Sequence, residues 1–188
     1  MMQKITLLTV LLLMACEIPT ESYENPLDVE AASDNGIETP ALVFFPDEIT
    51  ISSGATFTVF VYGLMFENLA GSSIWIEFDK NRIQVSSVIQ GDIFVDSQNE
   101  PIFFTEENND DGWINITTSY LGGDSTAIDV TGSIAQLTFT TVATGASTLT
   151  FGSQCEMVTP DDEALEIKGF GEVSITTNWF NLKNTWKI

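Results

Sequence analysis

Carboxylates dominate the chemistry open to this chain: 27 Asp and Glu stand against six Lys and Arg, with two cysteines and no histidine. Without histidine there is no Ser-His-Asp or Cys-His nucleophilic pair, and the commonest zinc ligand is missing. What remains is acid-base work by carboxylates and the binding of hard cations through oxygen. Glycoside hydrolysis needs two carboxyl groups about 5–10 Å apart. No acid here lies in a recognisable strand-end motif, and a chain of this length leaves little room for a deep cleft beside its core. The expectation is therefore a protein that is not an enzyme. The richest oxygen cluster is "EENNDDGW", residues 106–113, where Asn108, Asp110 and Asp111 could approach calcium. It lacks the spacing and the closing bidentate Glu of an EF-hand, so a solvated hairpin turn is the plainer expectation, and no other cofactor is indicated. Asp161-Asp162-Glu163 beside Pro160 reads as an acidic turn.

A formal net charge of −21 repels polyanions, which excludes nucleic acid as a partner. The two cysteines have different prospects. Cys16 follows "MMQKITLLTVLLLMA", a short basic start and an apolar stretch too brief to span a bilayer, which is the pattern of a secretory signal. Leu13-Met14-Ala15-Cys16 resembles the bacterial lipobox, with Met14 a tolerated departure. That resemblance implies cleavage before Cys16, acylation of its thiol, and a chain held at the bacterial cell envelope, at the outer membrane or the cell surface. Cys155 is then left without an intramolecular partner and reads as a buried, inert thiol. Asn115-Ile116-Thr117 matches a glycosylation acceptor, which a bacterial lipoprotein would rarely use.

Four segments follow from composition. Residues 1–15 form the signal; residues 16–39, with seven acids and no base from Glu17 onward, read as a disordered acidic tether; residues 40–177 form the folded unit; residues 178–188, "NWFNLKNTWKI", form a basic aromatic tail that either packs along an edge or touches a membrane or partner. The folded unit is a series of short runs rich in Val, Ile, Thr and Phe, divided by Gly, Asn, Asp and Ser clusters. Strands are predicted near 42–45, 47–52, 56–63, 72–79, 82–89, 101–105, 113–120, 133–142, 147–152 and 164–176. Without βαβ alternation these make an all-β, antiparallel β-sandwich. Phe57, Val59 and Val61 supply one core strand and Ile134, Leu137 and Phe139 another. In the strand "SSIWIEF", Ile74, Ile76 and Phe78 share one face, so Ser73, Trp75 and Glu77 face outward.

The order of these elements resembles a cohesin domain. Ser53-Gly54 leads into "ATFTVFVYGL", "NLAGSSIWIEFDKNRIQVSSVIQGDIF" carries the Leu-Ala-Gly, aromatic-Asp and Gly-Asp features in sequence, and "GSIAQLTFTTVATGASTLTF" supplies the glycine-led later strand. The resemblance implies a nine-stranded, jelly-roll-like sandwich and a non-catalytic receptor for a dockerin, a small calcium-loaded module that brings polysaccharide-degrading enzymes to a scaffold or cell surface. It also places strand 72–79 in the docking sheet. Gly71 and Ser73 stand where well-known cohesins carry Asn and Asp, so the familiar hydrogen-bonding groups are replaced by the row Ser73, Trp75 and Glu77. A rigid aromatic on an open sheet face is the residue type that dominates interface energies.

Three roles fit these residues: a protein-docking face for a dockerin-like partner; a carbohydrate-binding module stacking polysaccharide on Trp75, Trp113 and Tyr120; or a structural envelope lipoprotein. If Cys16 carries the anchor, Cys16→Ser should move the protein from the membrane to the soluble exported fraction, as read by fractionation and mass of the mature N-terminus.

Overall fold

The computed structural model describes residues 25–94, 101–119 and 128–179. Within them the chain forms thirteen strands, three of which have only two or three residues, one short α-helix and a single 3-10 turn at Asp92–Phe94. The strands are β1 (Ala41–Phe45), β2 (Glu48–Ser52), β3 (Thr56–Leu69), β4 (Gly71–Phe78), β5 (Ile83–Gln90), β6 (Ile102–Asn108), β7 (Trp113–Ser119), β8 (Ile128–Thr141), β9 (Gly145–Phe151), β10 (Glu156–Val158), β11 (Ala164–Leu165), β12 (Gly169–Phe170) and β13 (Val173–Asn178). One sheet has the order β12-β1-β3-β8-β5. The other runs β11-β10-β4-β9-β13-β2, and β7 joins β4 along its other edge with β6 outside it. Pairing is antiparallel except for β1 with β12 and β2 with β13.

Alternation places one side chain in two between the sheets. Leu42, Phe44, Phe57, Val59, Val61, Leu137 and Phe139 from the first sheet meet Ile74, Ile76, Phe78, Ile114, Ile116, Leu149, Val173 and Ile175 from the second, all buried. Aromatic contacts cross the layer: Phe44 stacks on Phe151 at 4.1 Å, and Phe78 meets Phe139 edge-on at 5.5 Å. Ile134 joins this core although its spacing from Leu137 is odd. The pairing steps from Val61 with Ala135 to Tyr62 with Ser133, so Ile134 is the extra residue of a bulge. Strands β3 and β8 extend beyond the expected ranges because Met65 and Asn68 adopt positive φ and their amides donate to Thr131 Oγ1 and Asp129 Oδ1, which carries the ladder through two irregular steps.

Beyond these extensions, and the thirteen strands found where the resemblance implied nine, two boundaries differ from the sequence reading. The stretch 164–176 is three strands, since the chain leaves the larger sheet after β11, adds β12 to the smaller one and returns as β13; a period-two pattern does not reveal a change of sheet. The expected disordered tether contains a helix, α1 (Val29–Asp34). Asp28 caps it by accepting from the amides of Glu30 and Ala31, and Gly36 follows it at φ 79°. Ala32 is fully buried against Ala41, Val43 and Leu64 on the outer side of the smaller sheet, so the folded unit starts upstream of residue 40.

Ile116 is fully buried at the middle of β7. Ile116→Ala should cost about 2–5 kcal/mol, while Thr117→Ala on the opposite face should stay within about 0.5 kcal/mol; urea midpoints at unchanged m-value check both.

Candidate functional site

Strand β4 pairs with β7 along its whole length, from Gly71 with Ser119 to Glu77 with Trp113. Its other edge is shared. β10 covers residues 71–73 and β9 covers residues 76–78, which leaves Trp75 at the handover. There the ladder is completed by the turn between β9 and β10: the Gly152 amide donates to the Trp75 carbonyl at 2.8 Å, the Trp75 amide donates to Cys155 Sγ at 3.3 Å, and the thiol donates back to the Trp75 carbonyl at 3.4 Å. A cysteine here satisfies both backbone groups of a residue that neither strand reaches. Burial pushes the Cys155 thiol above its ordinary range; the backbone bond to Trp75 lowers it in part, and the nearby Glu77 carboxylate adds a still smaller rise. The thiol is thus held neutral, a hydrogen-bonding group rather than a nucleophile.

Ile74, Ile76 and Phe78 are buried, and Ser73, Trp75 and Glu77 lie on the outward face, Trp75 half-buried and Glu77 exposed. The Trp75 ring stacks on Trp113 from β7, with centroids 4.5 Å apart and planes 21° from parallel. On its other side it lies so close to Gly152 that a Cβ there would sit 2.4 Å from Trp75 Cδ1. Only glycine permits that approach. The indole is therefore held between a backbone and a second indole, a preorganised aromatic block. Asn115, opposite Trp75 in the ladder, accepts from Ser73 Oγ at 3.2 Å.

Strand β6 widens the face, and the sequence reading did not single it out. Ile102 and Phe104 point outward beside Ser119 and Thr117 and are 47% and 56% exposed. The available signal was the run of three apolar residues in "PIFFTEE", of which a strand can turn only alternate ones inward. Cys155 and Gly152 carried no such signal, being 80 and 77 positions from the residue they support. Tyr120 and Cys16 lie outside the described residues, as do residues 180–188 of the tail. Trp179, expected as one candidate for edge packing, is instead 81% exposed.

The oxygen-rich turn is organised by its own groups. Asn108 Oδ1 accepts from the amides of Asp110 and Asp111, and Asn108 Nδ2 donates to Asp111 Oδ2. Lys80 donates to the Asp110 carbonyl and lies 4.0 Å from the Asp111 carboxylate. Among the described residues no group of three or more acidic or thiol side chains is arranged for a metal ion. The oxygens of the turn are thus engaged with its own amides and with the Lys80 ammonium.

The two-sheet sandwich that carries this face is shared with proteins of known structure. The cohesin-domain family model matches residues 44–177, and the chain belongs to the cohesin family. Three solved structures have its fold. A non-cellulosomal cohesin from the archaeon Archaeoglobus fulgidus is 15% identical, covering 73% of this chain and 90% of its own at a TM-score of 0.58. The third cohesin of ScaC from Acetivibrio cellulolyticus, solved with the ScaB dockerin, is 16% identical, covering 72% and 98% at 0.61. A type II cohesin from the cellulosome of the same organism is 15% identical, covering 72% and 95% at 0.61. No curated protein matches the chain.

Because the folded thiol titrates above the unfolded one, its contribution to stability is complete below the ordinary thiol range, about 8.5, and fades as pH rises through the folded value. Cys155→Ser keeps a donor and acceptor without that titration and should lose this alkaline component in urea unfolding across pH 7–11. Comparison with the parent removes the parallel effect of Tyr62, whose hydroxyl is pushed up by burial and by Asp92.

Proposed function

We propose that this protein is a non-catalytic docking module that receives a dockerin-like protein on the outward face of its larger sheet, around Ser73, Trp75 and Glu77. The observation that carries this reading is the Trp75–Trp113 block, fixed by Gly152 and the Cys155 hydrogen bonds among the polar outward residues of β4 and β7. A locked aromatic loses little entropy on binding and is suited to anchor an interface. Family membership supports the same role, since cohesins from Acetivibrio cellulolyticus and Clostridium thermocellum have been solved in complex with dockerins. The carbohydrate reading has less support, because sugar platforms need ring faces open to solvent and these two indoles turn a face to each other.

The lipobox supports attachment of this module to the bacterial envelope through Cys16. With folded structure present from the Asp28 cap onward, the span from Cys16 to Asp28 limits the reach of the anchor to about 40 Å, so the docking unit works close to the membrane. A link to polysaccharide degradation rests on the cellulosomal relatives. The archaeal relative is described as non-cellulosomal, so that link is not common to all the cohesins this chain is similar to.

The test is capture of exported proteins of the source organism by the full-length chain, in calcium and in chelator, for the parent and for Trp75→Ala with its fold checked by near-UV circular dichroism. A calcium-dependent partner should be retained by the parent and weakened about 30-fold or more by the substitution, the scale of an interface anchor. Equal capture by both proteins would move the docking site elsewhere.

A further inference from the structure

Building on the docking reading above, we propose that the partner is a protein whose contact surface carries arginine or lysine side chains around an apolar centre. The ladder pairings lay out the face in rows. Phe104, Thr117, Ser73 and Glu156 form one row, Glu106, Asn115 and Trp75 the next, and Asn108, Trp113, Glu77 and Thr150 the third. Trp75 thus has Glu106, Glu77 and Glu156 around it, each within two strands and one row, and all three are exposed. Phe104 and Ile102 add apolar surface at the β6 edge.

No ion pair among the described residues reaches these three acids. The described cations lie off the face: Lys80 and Arg82, in the turn between β4 and β5, are beside Asp111 and Asp79, and Lys168 lies between β11 and β12. The docking surface is thus aromatic at its centre and of one charge at its rim, within a chain of net charge −21. Charge of one sign selects among occupants. A second copy of this chain would oppose acid to acid, an anionic bilayer or acidic polysaccharide would be repelled, and a neutral sugar would donate hydroxyls to the carboxylates without gaining from their net charge. A cationic protein face gains at each of them. Arginine fits best, since Phe104 and Glu106 are two apart on the outward side of β6 and offer a ring face and a carboxylate to one guanidinium.

The experiment uses the full-length protein and two synthetic amphipathic helical peptides with the same apolar stripe, one flanked by Arg and one by Glu. Binding is read by fluorescence anisotropy of the labelled peptide between about 50 and about 300 mM NaCl. Two triple variants of equal charge are compared: Glu77→Gln, Glu106→Gln, Glu156→Gln on the face, and Asp161→Asn, Asp162→Asn, Glu163→Gln in the distant turn. The Arg peptide should bind the parent and the turn variant alike, lose about tenfold or more on the face variant, and weaken with salt. The Glu peptide should not bind. Equal loss in the two variants, equal binding of the two peptides, or insensitivity to salt would overturn the proposal. In the capture experiment, a partner lost by Trp75→Ala but kept by the face variant leaves the docking reading standing and removes this one; a partner kept by both removes the docking face itself.

Discussion

Alternation across β4 and β7 governs everything this protein displays. Ile74, Ile76, Ile114 and Ile116 are all fully buried between the sheets. Because side chains on a strand point to opposite sides in turn, that burial leaves Ser73, Trp75, Glu77, Trp113 and Asn115 no direction but outward. A slip of one residue would bring isoleucines to water and drive Glu77 into the core, at a cost of several kcal/mol for the charge alone. The hydrophobic layer therefore sets both which residues form the face and their register across it. The stacked indoles follow from that register, since Trp75 and Trp113 are diagonal neighbours on adjacent strands.

The face is also shaped by a discontinuity. Where β9 stops and β10 begins, β4 would have an unpaired amide and carbonyl at Trp75, and the turn from Gly152 to Cys155 supplies both partners. The glycine has a second use, because its missing side chain lets the indole lie against the turn. A thiol is a weak donor and acceptor, but it is small enough to fit at a partly buried point where a carboxylate or amide would be crowded. The same cysteine that a redox chemist would single out is a structural peg beneath the aromatic block.

At the other sheet, α1 covers apolar side chains of β1 that would otherwise face water. Ala41 and Val43 point away from the sandwich core and are buried by Ala32 and Leu64. This cover gives β1 its burial on both sides, with Leu42 and Phe44 inside. Among the described residues no such cover lies over β4 and β7, and that difference distinguishes a displayed face from a protected one.

The sandwich class, most strands and the outward row of β4 were legible in the sequence, because a period of two is a property of neighbouring residues and survives any tertiary arrangement. The helix was signalled by Asp28 and Gly36 but is only six residues long, too short for periodicity to show. The split of residues 164–176 among two sheets, the bulge that admits Ile134, the support of Trp75 by Gly152 and Cys155, and the pairing of Trp75 with Trp113 were decided by long-range register. Several of these contacts join residues 38 to 128 positions apart, and each depends on how the two sheets settle against the common core, for which local sequence carries no code. Composition determined the sign of the charge and the absence of histidine chemistry; only the fold decided that three of the acids would surround one tryptophan.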